Sequence, residues 1–298
     1  MNTHIKGRRG VVAVATLAAA GIAVPVVVTQ AGGGPATAEQ RTAAPVAAVA
    51  KAPAYVEYHA KSKAYHLATG KKLAGKGYRP ISLNVSNAAS PKYAAVWVKR
   101  SGPAFTQLVG QKRAAFQKSF DGLRKKGYQP ITITATGSGA AGVYSGIFEK
   151  KKGTFFSWGD LTAAKLAQHN KYAQSKGFIP ISIDAYGTAK APRFLAVWVA
   201  NPRKVKWSVS LNKSFAAHDK LFKAQVKKGW RPSFVAVGSG YTAIWRNDKI
   251  GPWVEQTGMT SALLTTRLKQ AKAKGYYPIQ IAGGGTGASS RYAAIWRK

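Results

Sequence analysis

The chain has 298 residues, 46% of them apolar, which is enough to bury a sizeable core, and it contains no cysteine, which excludes disulfides and Cys-ligated metals. Its 46 Lys and Arg against 9 Asp and Glu give a formal charge of +37. That lies far beyond the roughly 2 to 8 units that keep a small domain soluble. Such a field selects anionic partners: nucleic acid, acidic cell-wall polymer, acidic glycan or anionic surface.

Residues 1–38 open with Lys6, Arg8 and Arg9, continue through an apolar run from Val11 to Val28, and reach Ala36-Thr37-Ala38. A basic start, an apolar middle and an A-x-A exit describe a secretory signal peptide, and the Arg8-Arg9 pair resembles a twin-arginine signal. A run of eighteen residues is also near the minimum for an uncleaved anchor, but its Ala richness, Pro25 and the A-x-A site favour cleavage. The expectation is a mature protein with no membrane span, secreted or associated with the cell wall. Residues 39–54 are rich in Ala and Pro and read as a linker.

From residue 55 the chain repeats. Gly-aromatic-x-Pro occurs five times, at Gly77 to Pro80, Gly127 to Pro130, Gly177 to Pro180, Gly229 to Pro232 and Gly275 to Pro278. Fifteen residues before each Gly stands Ser62, Lys112, Thr162, Ser214 or Thr260, and seven before those an aromatic: Tyr55, Phe105, Phe155, Trp207 or Trp253. Downstream comes an aromatic pair spaced by four: Tyr93 and Trp97, Tyr144 and Phe148, Phe194 and Trp198, Tyr241 and Trp245, Tyr292 and Trp296. The units run over about 55–100, 101–150, 151–202, 203–248 and 249–298.

Each column has a physical reading. The hydroxyl residues can cap a helix N-terminus, and the helix behind them buries one face, clearest in Ala115, Phe116, Phe120 and Leu123. Gly ends the helix with a left-handed turn, and Pro prevents it from resuming. Lys76, Lys126, Lys176, Lys228 and Lys274 precede that Gly every time, where they complement the helix dipole. A strand follows with Ile81 and Leu83, Ile131 and Ile133, Ile181 and Ile183, Val235 and Val237, or Ile279 and Ile281 on its apolar face. Ser82, Asn84, Thr132, Thr134, Ser182, Asp184, Gln280 and Ala282 on its other face predict half exposure. The aromatic-pair strand is apolar on both faces and should be central.

The fold expected is an α/β repeat protein of five units, each a short strand, a helix and a β-hairpin. No unit closes a core alone, so neighbours must stack. With no polar cap after Trp296, a toroid or propeller-like ring is favoured over an open array.

The Gly-Tyr-Arg-Pro turn at Gly77-Tyr78-Arg79-Pro80 and the strands Tyr93-Ala94-Ala95-Val96-Trp97 and Tyr292-Ala293-Ala294-Ile295-Trp296 resemble the bacterial tandem repeat domain family. Over residues 55–298 the chain is similar to the non-catalytic half of fungal polyglycine hydrolases. The resemblance implies an accessory or recognition role and supplies no catalytic residues.

The remaining motifs favour structural explanations. Gly137-Ser138-Gly139-Ala140-Ala141-Gly142 spells a dinucleotide-binding pattern but precedes a strand, so it reads as a hairpin turn. Ser210-Leu211-Asn212-Lys213 spells Ser-x-x-Lys but falls in a connector without companion motifs. His59 and His66 could share a helix face, and His66 and His218 occupy the apolar fourth helix position, as packing residues. Among the carboxylates only Asp184 is a candidate for a hydrolase. No cofactor or metal is expected. The reading is a non-catalytic scaffold for an anionic extracellular polymer, with the five lysines as the polyanion site; an accessory substrate-presenting module and an undetected hydrolase are the alternatives.

Overall fold

The computed structural model describes residues 52–298 together with Asn2–Thr3 and Arg41–Thr42. Apart from Asn2–Thr3, the expected leader lies outside the described residues, as does most of the linker.

Each unit begins with a first strand: Tyr55–Lys61, Phe105–Gln111, Phe155–Leu161, Trp207–Lys213 and Trp253–Met259. Five helices of 13 residues follow: α1 (Lys63–Gly75), α2 (Arg113–Lys125), α3 (Ala163–Ser175), α4 (Phe215–Lys227) and α5 (Ser261–Ala273). Ser62, Thr162, Ser214 and Thr260 accept a backbone N–H through their side chains, whereas Lys112 offers no such cap. The five turn glycines have φ between 69° and 80°, the left-handed conformation expected of them.

The hairpin supplies a second strand (Tyr78–Ser86, Tyr128–Thr136, Phe178–Gly187, Arg231–Val237 or Tyr277–Gly284). It returns as a third strand (Lys92–Lys99, Val143–Lys150, Pro192–Ala200, Tyr241–Arg246 or Arg291–Arg297). All pairings are antiparallel in the order first–third–second, so the aromatic-pair strand is central as its composition predicts. Trp97, Phe148, Trp198, Trp245 and Trp296 fill the units from these strands. Asn2–Thr3 and Arg41–Thr42 pair along the first strands of the third and fifth units.

Two irregularities recur. Each second strand bulges just after its proline, which cannot donate to the ladder. Each first strand bulges near its end, through Ala60, Gly110, Asp160, Asn212 or Gly258 at positive φ. That kink carries the chain from the sheet into the helix. Sequence periodicity did not reveal it.

The polar face of the second strand is not half exposed, as its alternation predicts. It is buried against the second strand of another unit. Ser182 Oγ accepts from Ile133 N and donates to Ile133 O, both at 3.2 Å. Thr134 Oγ1 accepts from Val85 N at 3.2 Å, and Gln280 clasps the Val235 amide at 3.0 and 2.7 Å. In the fourth unit Phe234 and Ala236 replace the polar pair, and Arg246 donates to Pro180 O instead, at 2.8 Å. These side chains satisfy backbone groups that burial would otherwise leave costly.

Apolar packing follows the same order. The first unit's core takes in Val109 and Ile147, the second's Phe155 and Leu195, the third's Trp207 and Ile244, the fourth's Trp253 and Ile295. The fifth unit's core is completed by Ala94 and Val96 of the first. There Ser82 Oγ accepts from Ile281 N at 3.2 Å and Asn84 Oδ1 from Gly283 N at 2.8 Å.

Candidate anionic-polymer interface

The hairpin register fixes which residues share each end of a unit. Each helix runs opposite to the second strand that follows it, so the helix C-terminus and the start of that strand share one end of the unit. The opening residue of the second strand pairs with the close of the third: Tyr78 with Lys99, Tyr128 with Lys150, Phe178 with Ala200, Arg231 with Arg246 and Tyr277 with Arg297. In the third unit, where the partner is Ala200, Arg203, Lys204 and Lys206 follow in the connector.

Lys76, Lys126, Lys176, Lys228 and Lys274 therefore stand beside a second basic cluster in every unit. All five are exposed and all five are helix C-caps, with their backbone N–H groups donating to helix carbonyls such as Leu73 O. Two carboxylates at this end are held by arginine. Glu149 binds Arg79 at 3.2 Å and Asp248 binds Arg231 at 2.7 Å, so they neutralise buried arginines and leave the lysines in excess. Burial lowers the pKa of Arg231 and Asp248 raises it again, and the guanidinium stays charged.

The opposite end, roughly 25 Å away along the second strands, combines turns rich in Gly, Ala and Ser with exposed cations, among them Lys61, Lys112, Lys190, Lys213 and Arg291. Gly137 to Gly142 form a hairpin turn with a single 3-10 turn at Gly139–Ala141, as expected, and no helix opens there. Strand ends from all five units surround a cavity of about 210 Å³ that includes Asn84, Thr136, Asp184, Ser239 and Gly284. Backbones approach closely: a Cβ on Gly284 would lie 2.2 Å from Val237 O. Asp184 lines this cavity and is 3% exposed, not on a half-exposed face as its strand position predicts. Its carboxylate accepts from Thr134 Oγ1, Ala135 N and Ala185 N, yet burial carries its pKa up to about 6. It has no ion pair among the described residues, and no second carboxylate lines the cavity, so the acid–base pair a glycosidase needs is not assembled there.

The other motif residues are placed in the core or on strands. Ser210 lies within a first strand, not a connector, and accepts from Trp245 Nε1 at 3.0 Å. His59 also lies on a first strand, so it shares no helix face with His66; it contacts Ser261 Oγ at 2.9 Å. His66 is fully buried against Tyr58 and Tyr93, which pushes its pKa down to about 4. His218 is buried beside Glu255 of the next unit at 3.2 Å, a pairing that no spacing within one unit signals. Among the described residues no group of His, Cys, Asp and Glu is arranged to hold a metal, and no helix is long and apolar enough to cross a membrane.

A family model described as polyglycine hydrolase-like, structural repeat, matches five times, over residues 52–100, 102–151, 153–201, 204–248 and 250–298. Its boundaries fall at the joints between the sheet-and-helix units.

Proposed function

Since the chain belongs to the polyglycine hydrolase-like structural-repeat family, we propose that it is a non-catalytic scaffold that binds an anionic polymer outside the cell through the cationic ends of its five units. The observation that carries this reading is the register that sets each C-cap lysine beside the basic close of a third strand or, in the third unit, of its connector. An array of that kind releases condensed counterions on binding and reads charge density in preference to sequence. The basic, apolar and A-x-A pattern of residues 1–38 supports export, to the medium or the cell wall.

In this reading the five units close into a ring. Ser82 on Ile281 repeats between the first and fifth units the bond that Ser182 makes to Ile133 between the second and third. Closure gathers the five lysines into a single rim.

The test is the salt dependence of affinity for duplex DNA or polyphosphate as model polyanions. Log affinity should fall linearly with log salt, with a slope of about −0.9 per phosphate neutralised on duplex DNA. Changing Lys76, Lys126, Lys176, Lys228 and Lys274 together to Gln should flatten the slope. An unchanged slope with lowered stability would reduce these lysines to helix caps. Absence of binding would favour the second reading, an accessory module that presents substrate to a separate hydrolase, which the family description supports.

A further inference from the structure

The third residue of each Gly-aromatic-x-Pro turn points into the crevice between its own unit and the next, at the end that carries the C-cap lysines. In the first unit this residue is Arg79, 7% exposed, with its guanidinium 5.0 Å from the centre of the Phe105 ring and bound to Glu149. It fills the crevice so tightly that a Cβ on Gly102 would lie 2.8 Å from its Nε. Arg231 does the same in the fourth unit, held by Asp248. Ile179 packs into the core that Trp207 completes, and Tyr277 lies against Tyr55 with ring centres 6.3 Å apart.

The second unit differs. Its residue is Gln129, which is turned onto Gly153 O at 2.6 Å. A cleft of about 560 Å³ remains between the second and third units. Arg124, Lys150, Lys151 and Lys152 line it. Lys151 is 3.5 Å from Glu149 and Arg124 is 3.9 Å from Asp121, while Lys150 and Lys152 are exposed and without an ion pair among the described residues. The rings in its wall offer little stacking area, because Phe155 is 7% exposed and Tyr128 is half-buried against the core.

We propose that this cleft is a subsite for consecutive phosphodiesters of a polymer that carries no aromatic bases. The assignment rests on the polyanion reading above and narrows it. Lysines act as point charges for phosphate oxygens and the arginine adds planar donors. Binding to nucleic acid single strands would gain from several exposed aromatic faces, and this cleft offers only the half-buried Tyr128.

The experiment measures affinity of the whole chain for oligo(glycerol phosphate) and for oligothymidylate of equal phosphate number, by calorimetry at fixed moderate salt. Gln129→Tyr installs the neutral filler that the fifth unit carries at this position. It should weaken oligo(glycerol phosphate) binding by about tenfold at unchanged net charge, the loss expected from removing a few phosphate contacts. A double change, Lys150→Gln with Lys152→Gln, should weaken it as much, while Lys220→Gln with Lys269→Gln on the exposed faces of α4 and α5, of identical charge, should change it by about twofold or less. The double variants decide the matter if Gln129→Tyr fails to fold. Wild-type affinity in a folded Gln129→Tyr protein, equal losses from the two double variants, or tighter binding to oligothymidylate would each overturn the cleft while leaving the polyanion reading intact. No binding of either probe by the wild type would overturn both.

Discussion

Gly177 illustrates what one residue contributes to every unit. Its φ is 69°, and a Cβ added there would meet nothing within 4 Å. The need for glycine is thus conformational, not steric contact. Gly177→Val should destabilise by roughly 1 to 3 kcal/mol, since a β-branched residue is strained in the left-handed region. Thermal unfolding checks this, and an unchanged midpoint would refute it. At the same scale Asp184 makes a pH prediction. Its carboxyl is raised from 3.8 to about 6, so the folded state holds the proton more tightly than the unfolded chain. Its ionisation therefore costs stability at neutral pH, about 3 kcal/mol at most, and the cost is relieved as pH falls from about 7 towards 4. His66 works in the opposite sense: with its pKa at about 4, stability is lost as pH falls below 6.5. Comparison with Asp184→Asn separates the two, because Asn84 already occupies the equivalent position in the first unit. The variant should be the more stable protein at pH 7.5 and lose that advantage by pH 4. Parallel pH profiles for variant and wild type would show that Asp184 does not titrate in this way.

At the scale of the element, the helix was legible almost to the residue. Hydroxyl cap, apolar face, glycine and proline are each local chemistry; the cap recurs four times and the glycine and proline five. The central strand was legible because Tyr93 to Val98 is apolar on both faces. The second strand misled. Alternation of Ile and Leu with Ser, Asn and Thr is the signature of a solvated face, and it looks the same when the polar side chains instead bond a neighbour's backbone. What the alternation lacked was length: Ser82, Thr132 and Ser182 are short, and no Lys or Glu interrupts the column. The first-strand bulge was illegible because Ala60, Asp160 and Asn212 stand where glycine would have marked it. Likewise the crevice at Gln129 emerges only by comparing what fills the other four junctions. The bridging serines give a prediction. Ser182→Ala should cost about 1 kcal/mol, and Ser82→Ala should cost the same if the first and fifth units meet as the second and third do. Paired denaturant titrations measure both; a negligible loss for Ser82→Ala alone would argue for an open array.

For the whole molecule, the unit of stability is the junction. Every core borrows residues from another unit, so a lesion in one should propagate to its neighbour, and unfolding should be cooperative across units. Charge repeats at the same scale, since every unit sets its C-cap lysine beside the basic end of its hairpin or connector and carries further cations near its turn, such as Lys61, Lys112, Lys190, Lys213 and Arg291. The slope of affinity against salt reports on this array as a whole, not on any one lysine.

Cations at both ends of the units also determine how the protein would meet anionic particles. If it lands with the C-cap lysines down, Lys112, Lys190 and Arg291 at the turn end still face the solvent. A molecule with a single adhesive side can only coat particles; one with cations at both ends can glue them together. Titrated at low salt into a suspension of carboxylate-coated beads, the protein should raise light scattering below saturating coverage, and high salt should abolish the rise. Scattering that stays near that of single beads at every ratio would mean that one end alone adheres.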